Sequence, residues 1–349
     1  MTRRCILHIG LHKTGSSAIQ HSFQRYDDGR LAYLQMGVPN HSYWCNLLFP
    51  GDRLEGFLRQ GYASDAADFA RRAMEVSARV RATISSTDRD LIISAEGLSN
   101  IGEPETVWKV REFLEPFFDE IKVVGYVRPP AAQIVSSFQE ILKRQPVDLD
   151  PGRLYPGFKR KLAPWDEVFG RENVEFHLFD RAKLRQGDVA LDFAWRVGAE
   201  AARITSKHVN ESMSAEGLAI LFKLRSGMED RSRARQTKIG AMLPAIQTFG
   251  DSPFHFSPEI VQRDFARHIG DITWMEQRLG CSFPPYRPKP GSILFSSNDD
   301  LLDYAAVLAP SFSRHLLRFR LKAPFRLLGN KISGFARNCA ANSKPPAGA

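Results

Sequence analysis

The stretch Leu7-His8-Ile9-Gly10-Leu11-His12-Lys13-Thr14-Gly15-Ser16-Ser17 constrains what this chain can fold into more than any other. Upstream, Cys5-Ile6-Leu7-His8-Ile9 is a short apolar run bounded by Gly10, which predicts a buried strand. Downstream, Ala18, Ile19, Ser22 and Phe23 recur at spacings of three and four, the pattern of one helix face. A strand, a tight turn and a helix in that order leave the first N–H groups of the helix pointing into the loop, where the helix dipole adds partial positive charge. An anion belongs there, most naturally a phosphate. Lys13 adds a full positive charge, Thr14, Ser16 and Ser17 bring hydroxyl donors, and Gly15 lets the backbone come close. His12 stands beside Lys13 and either lines the site or hydrogen-bonds a phosphate. His8 lies within the strand and reads as a satisfied core histidine.

The order of residues in this loop differs from the usual nucleoside-triphosphate loop, in which lysine follows the second glycine. Here lysine precedes the glycine, which argues against an ordinary kinase or ATPase. Farther along, a helix is predicted over roughly 65–82, a buried strand at Leu91-Ile92-Ile93 ending at Glu96, a helix in PETVWKVREFLEPF and another strand in IKVVGYVR. Residues 27–62 read as irregular. Alternating strands and helices predict an α/β fold with a parallel sheet flanked by helices. In such sheets ligands gather at the carboxyl ends of the strands, where the Lys13 loop, Glu96 and Arg128 all fall. After Arg128, Pro129-Pro130 turns the chain into a helix that carries Ser136 and Ser137. An arginine at a strand end can grip a phosphate bidentately, and a serine on the next helix can add a donor.

Composition removes several function classes. With 349 residues, 43% hydrophobic and 25% charged, the chain has enough material for a sizeable core and reads as folded over most of its length. The four cysteines, Cys5, Cys45, Cys281 and Cys339, are scattered, with no C-x-x-C pair, so a reduced compartment fits and a structural zinc does not. Arg3-Arg4 leads straight into the first strand, and no run of about 20 apolar residues occurs. The expectation is a cytoplasmic protein.

The net charge is +9, and eight of those charges lie after Asp303. The body is therefore nearly neutral, with no basic face interleaved with aromatics and no nucleic-acid-binding signature. Residues 312–338 alternate Arg and Lys with Leu, Phe and Ile. Such a segment either rests on anionic lipid, which would put the protein peripherally at the inner face of a membrane, or packs on the body. Pro324 is expected to interrupt any single helix there, and 341–349 reads as a disordered end.

Taken together, LHKTGSS and YVRPPAAQIVS resemble the sulfotransferases that use 3′-phosphoadenosine-5′-phosphosulfate. The flow of GRENVEFHLFDRAKLRQGDVALDFAWRVG, VNESMSAEGLA and DITWMEQRLG is similar to bacterial glycan-type members, so the likeness spans about residues 4–283. It implies a sulfotransferase-like, P-loop-containing main domain over 1–290, with helical insertions at about 27–85 and 205–280, followed by a basic extension over 291–349. Lys13 would stabilise charge at the bridging oxygen, Thr14, Gly15, Ser16 and Ser17 would cradle the 5′-phosphate, and Arg128 and Ser136 would hold the 3′-phosphate, with Ser137 as the substitute if the helix is rotated. No metal is demanded. Family members use histidine or glutamate as the base. Glu96 fits the place, with His12 as the rival.

The implied reaction is sulfuryl transfer to a hydroxyl of a carbohydrate or glycolipid. The competing expectations are a P-loop nucleotide kinase and a nucleotide-binding interaction protein without turnover. Tyr43, Trp44 and Tyr155 either stack on sugar rings or pack. Lys207, His208 and Asn210 either reach a ligand or face water, while Ser214 is a plausible helix cap and 227–238 an exposed charged stretch.

Overall fold

Strand β1 (Arg4–Ile9) explains the architecture through its alternation. Cys5, Leu7 and Ile9 point into one apolar cluster, and Ile6 points into another, so both faces of the sheet are covered. The chain continues through α1 (Ser16–Phe23), β2 (Leu31–Tyr33), α2 (Ser42–Leu48), α3 (Leu54–Arg59), α4 (Ala66–Ser85), β3 (Asp90–Ala95), α5 (Pro104–Leu114), β4 (Glu120–Val127), α6 (Pro130–Arg144), α7 (Phe158–Phe169), β5 (Val174–Leu178) and α8 (Val189–Val197). There follow α9 (Ala215–Arg225), α10 (Arg233–Gln247), β6 (Phe254–Phe256), α11 (Pro258–Phe265), α12 (Ile269–Leu279), β7 (Ile293–Phe295) and α13 (Asn298–Ala341). This computed structural model describes residues 2–205, 212–226 and 233–341, the side chains of 233–235 and 322–341 excepted. Lys207, His208, Asn210 and the final residues 342–349 therefore lie outside the described structure, as do the first half of the charged stretch and the side chains of the tail from residue 322 on.

Five strands form one parallel sheet in the order β2-β3-β1-β4-β5. One face packs on Val80 and Ile84 of α4, Val107 and Val110 of α5, Leu162 and Trp165 of α7 and Met275 of α12. The other packs on Ile19 and Phe23 of α1 and on Val189, Phe193 and Val197 of α8. The parallel α/β expectation is met. The region read as irregular contains the edge strand β2, whose three residues are all buried against β3 but are too few to display a period.

Two compact units divide the chain: residues 1–137, 151–211 and 261–286 form the first, and 138–150, 212–260 and 287–349 the second. In the second unit α13 packs on α9 and α10, burying Leu301, Ala305 and Phe312, and Ser214 caps α9 by accepting from the Gly217 N–H at 3.0 Å. Helix α13 runs through Pro324 without the expected interruption. A proline removes one helix hydrogen bond and crowds the preceding turn, a cost that need not end the helix. Among the described residues no helix is long and apolar enough to cross a membrane.

A buried polar group ties β1 to β3. His8 Nδ1 lies 2.7 Å from Ser94 Oγ, and the Ser94 N–H donates to His41 Nδ1 at 3.1 Å. Both histidines are fully buried, and burial lowers each from 6.5 to about 3. Between about pH 3 and 6.5 the unfolded chain thus binds protons that the folded chain refuses, so stability rises with pH through that window. Chemical denaturation is expected to show a loss of about 2 kcal/mol per histidine on going from neutral pH to about pH 5. A flat denaturation midpoint over that range contradicts it.

Candidate active site

Register brings the candidate residues to one edge of the sheet. Ile9 pairs with Ala95, so β1 and β3 release Gly10 and Glu96 side by side, and His8 pairs with Val124, which places Arg128 beyond the end of the neighbouring β4. A Cβ on Gly10 would sit 2.4 Å from Ser16 Oγ and 3.1 Å from Glu96 Cγ, so only glycine allows this approach.

The loop after β1 is bent at two points. Lys13 has φ 65° and Gly15 φ 80°, with Thr14 between them at negative φ. Alternating backbone hands turn successive N–H groups to one side and form an anion-binding concavity. For lysine this conformation is strained, and such strain persists where surrounding contacts enforce it. Arg128 Nη1 donates to the Lys13 carbonyl at 3.1 Å, and Gln133 Nε2 donates to the His12 carbonyl at 2.8 Å. A Cβ on Gly15 would meet Val189 Cγ1 at 2.7 Å and Phe179 Cε2 at 3.0 Å. Gly15 is also the N-cap of α1, and no side chain caps that helix.

The loop hydroxyls divide into two sets. Thr14 Oγ1 donates to the Leu11 carbonyl at 2.7 Å and Ser16 Oγ to the same carbonyl at 3.3 Å, and both residues are buried. They brace the turn from inside. Ser17 Oγ instead donates to Glu96 Oε1 at 3.5 Å. Glu96 Oε2 stands 3.8 Å from His12 Nδ1, and His12 Nε2 lies 3.1 Å from Asn100 Nδ2. Lys13, Glu96 and His12 thus come from two adjacent strand ends, and Arg128 from a third. On α6, Ser137 Oγ lies 3.4 Å from Gln133 Nε2, and Ser136 is about 100° round the helix from it.

Arg128 is largely enclosed, with its guanidinium 5.8 Å from the centre of the Phe179 ring. Burial, and secondarily the charge of Arg181, hold it below its ordinary pKa. Among the described residues no carboxylate forms an ion pair with it. A partly buried cation with a like charge nearby and no ion-paired carboxylate among the described residues is an arrangement that a bound anion would relieve.

Sequence reasoning missed Asn100, Gln133, Phe179 and Arg181. Phe179 directly follows β5, so the rule that singled out Arg128 also reaches it; Gln133 and Asn100 carry no comparable signal. The aromatic alternatives separate. Trp44 is buried, Tyr155 stacks on His268 and donates to Asp271 Oδ2 at 2.6 Å, and half-exposed Tyr43 stacks on Tyr62. Among the described residues no three His, Cys, Asp or Glu side chains converge to hold a metal.

No family model and no curated protein matches this sequence. Among solved structures, the chain is similar to the sulfotransferase from Alicyclobacillus acidocaldarius, at 11% identity over 81% of this chain and 98% of that one, with a TM-score of 0.47.

Proposed function

We propose that this protein is a sulfotransferase that moves a sulfuryl group from 3′-phosphoadenosine-5′-phosphosulfate to a hydroxyl of a carbohydrate or glycolipid. The observation that carries the reading is Arg128, a half-buried guanidinium without a carboxylate ion-pair partner among the described residues, hydrogen-bonded to the backbone of the bent Lys13 loop. Two anion-seeking features side by side suit a nucleotide with phosphate groups at two positions. In this reading the donor supplies an activated sulfuryl group between those features and the acceptor. The backbone of Thr14 through Ser17 cradles the 5′-phosphate, and Arg128, with Ser136 or Ser137, holds the 3′-phosphate. Lys13 neutralises charge on the bridging oxygen as the sulfur–oxygen bond to the leaving phosphate breaks. Glu96 takes the proton of the attacking hydroxyl.

Calorimetric titration with 3′,5′-adenosine bisphosphate tests the donor site. Charge-assisted hydrogen bonds contribute about 1.5–3 kcal/mol each, so Lys13→Ala and Arg128→Ala should each weaken binding by roughly 10–100-fold. Binding of ATP with magnesium and not of the bisphosphate would replace this reading with the kinase.

A further inference from the structure

We propose that Asn100 holds His12 in the tautomer whose ring proton faces Glu96, which makes Glu96 the proton acceptor and His12 its positioning partner. The base assignment rests on the sulfuryl-transfer reading; the tautomer assignment rests on geometry alone.

Glu96 opens and Asn100 closes one short 3₁₀ turn, Glu96–Asn100. The two ends of that turn address the two nitrogens of a single imidazole: Asn100 Nδ2 is 3.1 Å from Nε2, and Glu96 Oε2 is 3.8 Å from Nδ1. An amide nitrogen only donates, so Nε2 must present its lone pair and the ring proton must sit on Nδ1. The carboxylate selects the same state independently. Were the amide turned to offer Oδ1, Nε2 would need the proton, and a neutral ring would aim its Nδ1 lone pair at the negative carboxylate. Only a doubly protonated ring escapes that repulsion, and it too carries a proton on Nδ1.

In either state the Nδ1 side has no lone pair to accept a proton, while the Nε2 lone pair, when present, is engaged by Asn100. Glu96, as a carboxylate, is an acceptor at both oxygens: its Oε1 receives the Ser17 hydroxyl and its Oε2 faces Nδ1–H. As the acceptor oxygen bonds to sulfur, the bond between sulfur and the bridging oxygen breaks and its electron pair goes to the phosphate oxygen. The hydroxyl proton passes to Glu96. The turn is fixed apart from Asn100, to the β1 loop because Ser99 Oγ donates to the Gly10 carbonyl at 2.9 Å, and to α2 because the Gly97 N–H donates to Ser42 Oγ at 2.8 Å. Replacing Asn100 therefore leaves these anchors in place.

Nitrogen-15 imidazole spectra of the full chain, with the His12 signal identified by its disappearance in His12→Asn, read the tautomer directly. The wild type should show Nδ1 protonated and Nε2 bare, and Asn100→Leu should show mixed tautomers. Donor turnover by Asn100→Leu should fall in kcat by about tenfold, a small part of what a positioned base contributes. Its KM for the donor should be unchanged, and Asn100→Gln should recover most of the loss. A wild-type Nε2–H neutral ring overturns the assignment, as does an Asn100→Leu variant with the wild-type spectrum and kcat, or one whose defect lies in KM and is not restored by glutamine. If the tautomer is as stated but the wild type neither binds the bisphosphate nor turns over the donor, the sulfuryl-transfer reading and the base role fall together while the tautomer assignment stands.

Discussion

Lys13→Ala is expected to lower the rate of bisphosphate release from 3′-phosphoadenosine-5′-phosphosulfate by about 10²–10³-fold while leaving the melting temperature nearly unchanged. The size follows from what a preorganised cationic or hydrogen-bonding group contributes when charge develops on a leaving oxygen, about 3–4 kcal/mol. The neutrality for stability follows from the atoms involved. Arg128 grips the Lys13 carbonyl, a backbone atom that alanine retains. The positive φ of 65° burdens alanine as it does lysine. Lys13→Gly sharpens the test, because glycine relieves a strain of roughly 1–2 kcal/mol and should raise the melting temperature while remaining as slow as alanine. A rate within threefold of wild type in both variants would remove Lys13 from the chemistry.

Glu96→Gln is the second large effect. A positioned general base contributes about 10²–10⁴-fold, and glutamine removes proton affinity while preserving shape. Its amide oxygen still accepts from Ser17, so the loop geometry is retained. Transfer to a hydroxyl acceptor, found by screening wild type against neutral and anionic saccharides, should fall by that factor, with bisphosphate affinity unchanged. Undiminished transfer by Glu96→Gln assigns the base elsewhere. A wild type that binds the bisphosphate tightly yet transfers nothing to any acceptor supports the interaction-protein reading instead.

Much of this site is legible in the chain because strand ends and helix starts are local properties. A short apolar run closed by glycine marks where a strand must stop, and an apolar spacing of three and four marks where a helix begins. Lys13, Glu96 and Arg128 were found in this way. The backbone hand at Lys13 was not, since lysine gives no sign of positive φ; contacts from Arg128 to Lys13 and from Gln133 to His12, across 115 and 121 residues, accompany it. The hydroxyls of Thr14 and Ser16, expected as donors to a phosphate, turn inward and donate to the Leu11 carbonyl.

By itself, then, the sequence determined that this is an α/β chain whose first strand passes through a tight, glycine-containing turn into a helix, because hydrophobic period and glycine placement act within a few residues. Only the tertiary structure decided that β3, β1 and β4 lie side by side, that Asn100 and Glu96 share His12, and that Arg128 is half-buried with no carboxylate paired to it among the described residues. Those outcomes depend on strand order and side-chain packing between residues far apart in the chain, where no local pattern carries the information.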